Sequence, residues 1–241
     1  MIQPHEILVP LSTIWWQTII CSTVIISGIL FAAKKLNKEQ TELLAKVIGV
    51  ILIARSILIH PYVANFTLKG WDIYNNLPLH LCGLSAIISG IIMFYRRQWL
   101  YECLYFWGIP GAFHSYITPE FTQGTEGLLF IEYYIAHGGI ILSALFCTMY
   151  LGFKPRKGSW WRIFLYSQVL LPIVGVFNWL IDANYMYICA PPIVENPFII
   201  GDFPEHLIGL EIAGILHFAL VYLPFGLKYR RASKVTGTPA I

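Results

Sequence analysis

Charged residues are scarce in this sequence, and their scarcity excludes most soluble classes. Only 12% of the 241 residues are Asp, Glu, Lys or Arg, against about 25% in ordinary soluble domains. Hydrophobic residues make up 57% of the chain, and the mean hydropathy is +0.64. A net charge of +3 is too small for a nucleic-acid binder. These values indicate a protein whose main solvent is lipid.

Cysteine pairs, repeats and strand-like patterns are also lacking. The five cysteines show no CxxC spacing, which argues against a zinc module or a disulfide framework. No internal repeat or domain linker is visible, so residues 1–241 are expected to form a single integral membrane domain. The apolar stretches do not alternate with the period of two that barrel strands require. The chain is therefore expected to be all-α.

Seven apolar stretches are present, each close to the roughly 20 residues that a helix needs to cross the hydrocarbon core. They cover residues 14–33, 42–60, 77–95, 99–116, 127–151, 160–181 and 207–227. Fourteen of the sixteen Lys and Arg residues fall at one end of these spans, and positive charge marks the cytoplasmic side. We predict a multi-pass bundle of seven transmembrane helices with the N-terminus outside and the C-terminus cytoplasmic.

Polar side chains inside these spans predict a functional chamber, because each is costly within a bilayer. Most lie toward the non-cytoplasmic ends of the helices, whereas Glu102, Gln168 and His217 lie in the cytoplasmic half. We therefore expect a polar chamber that opens toward the non-cytoplasmic leaflet. Helical spacing places Cys82 on the inward face of the third span and leaves His80 at the interface.

Cys82 and His137 are the residue types that a thiol nucleophile and its base require. A thiol has a pKa near about 8.5 and needs a base or a cation to ionise at neutral pH. A membrane cysteine is nevertheless usually a small apolar filler, and a membrane histidine is usually structural. Arg55 has two interpretations: an ion pair with Glu132, Glu211 or Asp182, or a site for a phosphate or carboxylate head group.

Several segments resemble a known family. They are LPLHLC (77–82), LYFWGIPGAFHSYITPE (104–120), IAHG (135–138), FNWLIDANYMYI (177–188) and LVYLPF (220–225). In this order they resemble the YwaF family of bacterial integral membrane proteins, which is similar to the mammalian transmembrane protein 164, a phospholipid acyltransferase. The resemblance implies that Cys82 is the nucleophile, that His137 is the general base, and that the protein lies in the bacterial inner membrane.

The implied reaction transfers an acyl chain through a thioester on Cys82. A phospholipid of the non-cytoplasmic leaflet donates the chain, and His137 deprotonates the lysophospholipid that accepts it; with water as acceptor the site is a lipase. No cofactor or metal is expected. Glu132, Asp182 or Glu211 is expected to orient the imidazole of His137. The residues expected to bind substrate or support the site are Arg55, His80, His114, Glu132, Tyr133, Asn178, Asp182, Asn184, Tyr185 and Glu211.

Two other functions fit the same pattern. A polar chamber among seven helices also describes a small transporter or receptor. A structural or assembly protein could use the polar cluster only to hold its helices together. The absence of repeat symmetry and the presence of both Cys82 and His137 favour the enzyme.

Overall fold

A computed structural model of the chain describes residues 6–121, 124–125, 127–193, 199 and 201–236. Eight α-helices make up most of this part: α1 (Thr13–Ala33), α2 (Lys38–Phe66), α3 (Leu81–Ile91), α4 (Gln98–Cys103), α5 (Ile109–Ile117), α6 (Leu129–Tyr150), α7 (Ser159–Ile181) and α8 (Glu205–Thr236). A two-stranded antiparallel sheet pairs β1 (Glu6–Ile7) with β2 (Glu120–Phe121). The all-α polytopic architecture predicted from the sequence is confirmed.

Each of the seven predicted spans coincides with helix. Within the described residues, α1, α2, α6, α7 and α8 are the five helices long and apolar enough to cross a membrane by length and composition. The third span is shorter than predicted, since α3 begins at Leu81 and ends at Ile91. Leu77 and Leu79 instead form a tight turn before it. The number of membrane crossings and their orientation stay predictions.

The fourth span is one helical run with a change of pitch in its middle. Between α4 and α5, residues Leu104–Gly108 form a π-helical turn, and the backbone stays in the right-handed region on both sides. Pro110 lies two residues after this turn and has no N–H to donate to a preceding carbonyl. A missing donor of this kind is a known cause of local rewinding. The π-turn lies immediately before α5, and one face of α5 carries Gly111, His114 and Ser115.

Close contact between α2, α3 and α6 sets the frame of the bundle. The face of α3 that is predicted to point inward carries small residues and is buried, with Ser85, Ala86, Ser89 and Gly90 turned into the protein. A Cβ on Gly90 would lie 2.7 Å from the Ile53 side chain of α2. Small residues let helix backbones approach in this way. Cys82, on the same face, is thereby directed inward, as predicted.

A buried carboxylate closes the end of the bundle that is predicted to be cytoplasmic. Glu102 is 1% exposed and receives hydrogen bonds from Nε (2.9 Å), Nη2 (2.7 Å) and the backbone N (3.0 Å) of Arg156. Gln98 donates a further bond to it. A buried carboxylate is stable when its oxygens are satisfied in this manner. Glu102 thus fastens the α6–α7 connection and takes no part in the chamber.

Candidate active site

A cavity of about 520 Å³ lies between α2, α3, α5, α6 and α8. One end of the cavity, which we call its mouth, is lined by the segment before α3, by β2 and by the turn at Met186 and Tyr187. The polar side chains on its wall are Arg55, Ser56, His60, Asn75, Asn76, His80, Cys82, His114, Ser115, Thr118, Glu120, Glu132, Tyr133, His137, Tyr187 and His217. Its size falls in the usual range of ligand sites. A polar chamber, as expected from the sequence, is present, and its opening toward the non-cytoplasmic leaflet stays a prediction.

Cys82 stands in the first turn of α3 and contacts α5. Its Sγ lies 3.8 Å from Oγ of Ser115, and the Ser115 hydroxyl donates to the carbonyl of Gly111 at 3.0 Å. A Cβ on Gly111 would lie 2.9 Å from the same Sγ. Neither Ser115 nor Gly111 was predicted as a site residue. The sequence feature that could have identified them is their spacing of four residues, which places both on one face of a helix.

His137 is held on α6 in a defined tautomer. Its Nδ1 lies 2.8 Å from the carbonyl oxygen of Tyr133 one turn earlier. A carbonyl can only accept, so Nδ1 carries the proton and, in the neutral ring, Nε2 keeps its lone pair. The ring also packs against Tyr133, with centroids 4.2 Å apart. The imidazole therefore presents Nε2 as its basic atom.

The orientation of His137 corrects one sequence-based expectation. Glu132, Asp182 or Glu211 was expected to orient the imidazole through a carboxylate. The backbone carbonyl of Tyr133 does so instead, because a side chain on a helix reaches back to the carbonyl four residues earlier. Tyr133 itself donates its hydroxyl to the carbonyl of Ser115 at 3.0 Å, so that proton is already engaged.

Arg55 and Glu132 form an ion pair on the cavity wall. Nε and Nη2 of Arg55 both bind Oε1 of Glu132, and both side chains are about one-fifth exposed. Of the three carboxylates proposed as partners for Arg55, the structure thus selects Glu132. The pair joins α2 to α6 beside His137 and adds no net charge to the cavity.

His80 lines the cavity, whereas helical spacing predicts a position away from the inward face of the third span. It precedes α3 as the N-cap residue with extended backbone angles, so the helical rotation used for the prediction does not apply to it. Nδ1 of His80 accepts the backbone N–H of Met186 at 3.1 Å, and its ring packs against Tyr185 and Tyr187. His80 therefore ties the mouth of the cavity to the start of α3.

Five predicted site residues do not line the cavity: Asn178, Asp182, Asn184, Tyr185 and Glu211. Asn178 bonds both backbone groups of Tyr185. Asn184 binds the backbone of Cys189 and Ala190. Asp182 is an exposed helix end in the left-handed conformation, and Glu211 accepts from Gln168 at 2.8 Å. Asn178 and Asn184 thus hold the segment after α7, and Glu211 links α8 to α7.

Tyr185 shows how this segment supports the mouth from outside. Its hydroxyl donates to the carbonyl of Ile73 at 2.7 Å and accepts from the N–H of Leu77 at 3.0 Å. Burial raises the pKa of Tyr185 to about 12, so the hydroxyl keeps its proton at neutral pH. The residue fixes the loop that leads into α3 and so fixes the position of Cys82.

His114 and His217 face each other across the cavity wall formed by α5 and α8. Their Nε2 atoms are 2.8 Å apart, and both residues line the cavity. His114 was predicted as a supporting residue. His217 was predicted in the cytoplasmic half and was not predicted as a site residue. It lines the cavity together with residues 210, 213, 214 and 218 of α8.

The part of the chain that the structure describes offers no evident set of metal ligands. There, no group of three or more His, Cys, Asp or Glu side chains is arranged to hold a metal ion. The titratable groups on the cavity wall include a thiol, several imidazoles, the Glu120 carboxylate and the Arg55–Glu132 ion pair. They suit proton transfer and nucleophilic attack.

Comparison with known proteins identifies the family. A search of curated proteins gave no match, and neither did a search of solved structures. The family model of the TMEM164 family matches residues 4–222, a range that includes every residue found on the cavity wall. The resemblance to bacterial YwaF proteins stays a prediction, whereas the match over most of the sequence establishes that this chain belongs to the TMEM164 family.

Proposed function

We propose that this protein is a membrane-embedded lipid acyltransferase that carries the acyl chain as a thioester on Cys82. When water replaces the lipid acceptor, the same site acts as an acyl-lipid hydrolase. The observation that carries the proposal is the presence of Cys82 and His137 on the wall of one cavity, with Nε2 of His137 left as a base by the bond from Nδ1 to Tyr133.

In the first half of the reaction, His137 activates the thiol. Nε2 takes the proton from Sγ of Cys82, and the thiolate attacks the ester carbonyl of the donor phospholipid. The tetrahedral intermediate then breaks its bond to the glycerol oxygen. The proton on His137 passes to that oxygen, so a lysophospholipid leaves and His137 is neutral again. The acyl chain remains bonded to sulfur.

The start of α3 supplies positive potential where the oxyanion forms. Cys82 is the second residue of α3, and N–H groups in a first helical turn have no carbonyl partner within the helix. Together with the helix dipole they favour negative charge at this end. Donors fixed next to the nucleophile in this way stabilise an oxyanion without reorganisation.

The remaining wall suits a lipid substrate. Phe106, Trp107, Leu210 and Phe218 provide an apolar surface for the acyl chain, and Arg55 and Glu132 provide charges for a polar head group. The mouth lies at the end of the helices that the charge pattern assigns to the outside. We therefore place the donor and the acceptor, a phospholipid and a lysophospholipid, in the non-cytoplasmic leaflet of the bacterial inner membrane.

Direct detection of the thioester tests this proposal. The purified protein is incubated in vesicles with a phospholipid whose acyl chain carries a stable isotope, quenched in acid and digested. The peptide that contains Cys82 is expected to gain the mass of the labelled acyl chain, and neutral hydroxylamine should remove it. Cys82→Ala should show no adduct. An unmodified peptide in the parent protein, while label still moves between lipids, would contradict the mechanism.

Substitution of Gly111 tests whether the position of the Cys82 thiol controls the rate of acyl transfer independently of the stability of the fold. Gly111→Ala places a methyl group against Sγ of Cys82, which forces the thiol to rotate. Because a displacement of about 1 Å can cost about a hundredfold in rate, acyl transfer is expected to fall ten- to a hundredfold. Thermal stability should not fall, since alanine favours helix over glycine. Gly28→Ala in α1, where nothing lies within 4 Å, is the matched control.

A further inference from the structure

The directions of the hydrogen bonds around His114 and His217 leave one ring nitrogen of the pair able to accept a proton. Nδ1 of His217 lies against the carbonyl of Ala213, which can only accept, so this nitrogen carries a proton. The two Nε2 atoms, 2.8 Å apart, share one proton between them. In the neutral pair His217 therefore accepts from His114, and Nδ1 of His114 is the atom with a free lone pair.

A proton added to this pair is stabilised over both rings. It binds at Nδ1 of His114, and the positive charge is shared through the Nε2 contact with His217, whose Nδ1–H already points at Ala213. His217 binds and orients His114 in the way that a third residue orients the imidazole of a catalytic triad. The arrangement needs no carboxylate.

The pair stands on a different wall from His137 but close to the thiol along α5. Gly111, which contacts Sγ of Cys82, and His114 are three residues apart on one helix and both line the cavity. Residues with that spacing are neighbours on a helix surface. His137 comes from α6, whereas the pair comes from α5 and α8. The cavity thus carries one base on each of two walls.

We infer that His114 is the catalytic base of the second half-reaction and that His217 is its positioning residue. This inference rests on the proposed thioester mechanism. The hydroxyl of the acceptor lysophospholipid gives its proton to Nδ1 of His114 as its oxygen bonds to the thioester carbonyl. The carbon–sulfur bond then breaks, and the thiolate of Cys82 takes back one proton from the His114–His217 pair. Donor attack and acceptor attack therefore use different bases.

Measuring the two half-reactions separately tests the inference. Thioester formation is followed by rapid quenching with labelled phospholipid and no acceptor, and its decay is followed after a lysophospholipid is added. For His114→Gln, thioester formation is expected to stay within about twofold of the parent. Decay should slow by about a hundredfold, the lower end of a general-base contribution, so the acyl-enzyme accumulates.

Variants of His217 keep the test decisive if His114→Gln does not fold. In His217→Gln the amide oxygen still accepts from His114, so thioester decay is expected to slow less than tenfold. In His217→Leu the acceptor is lost, and decay should slow about as much as in His114→Gln. His60→Gln is the matched control, because His60 lines the same cavity but accepts from Trp71.

The possible outcomes are distinguishable. Decay within about threefold of the parent in His114→Gln, or equal losses in both half-reactions for the variants of the pair, overturns the inference and assigns the pair a structural role. Failure to form any thioester in the parent protein contradicts the proposed function itself. Selective slowing of decay, with the graded response at His217, supports the inference.

Discussion

Replacing Cys82 by serine is expected to reduce acyl transfer by about a thousandfold or more while the protein keeps its fold. Serine has nearly the size of cysteine and preserves the contact with Ser115, but its hydroxyl is a much weaker acid than a thiol, so His137 cannot generate the nucleophile as readily. Losing a nucleophile that acts with its base removes most of the chemical rate. Transfer of a radiolabelled acyl chain between lipids in vesicles measures the loss.

The chain offers a matched control for this substitution. Cys21 is an exposed cysteine of α1 that lies outside the cavity, so Cys21→Ser should keep the parent rate. Both variants should elute as the parent does in size-exclusion chromatography and unfold at a similar temperature. Cys82→Ser retaining more than about a tenth of the parent rate would favour a carrier or a scaffold over a thiol enzyme.

Hydrophobic length and helical spacing predicted the fold well, because both depend on local sequence. The apolar stretches coincide with the helices, and their residues at intervals of three and four gave the inward face of α3. The predicted start of the third span was four residues too early. Leu77 and Leu79 are as apolar as the helix that follows, so hydropathy does not distinguish them from it.

The errors at the site have a common physical cause. The sequence gives the depth of a polar residue in a helix but not the rotation of that helix against partners far along the chain. Asn178 and Glu211 lie at the expected ends of their helices, yet one binds a turn and the other binds Gln168. His217 was judged by depth alone, and only the packing of α8 against α5 shows that it meets His114.

The contribution of His137 can be separated from that of the thiol by an asparagine substitution. In His137→Asn, the side-chain N–H₂ lies near the position of Nδ1 and can still donate to the carbonyl of Tyr133. The variant therefore keeps the hydrogen bond that His137 makes within α6. The variant has no atom that can take the proton of Cys82. Thioester formation is therefore expected to fall by about a hundred- to ten-thousandfold, the range of general-base catalysis.

The pH dependence of thioester formation by His137→Asn provides the decisive measurement. Without its base, Cys82 reacts only through the fraction ionised by solvent, and that fraction increases about tenfold for each pH unit below the pKa of the thiol. The rate of His137→Asn should therefore rise steadily with pH, while the parent, in which Nε2 removes the proton, depends less on pH above neutrality. If the variant forms the thioester within tenfold of the parent at pH 7, another group deprotonates Cys82. Parallel pH profiles for the two proteins would lead to the same conclusion, because a proton acceptor other than His137 would then serve both.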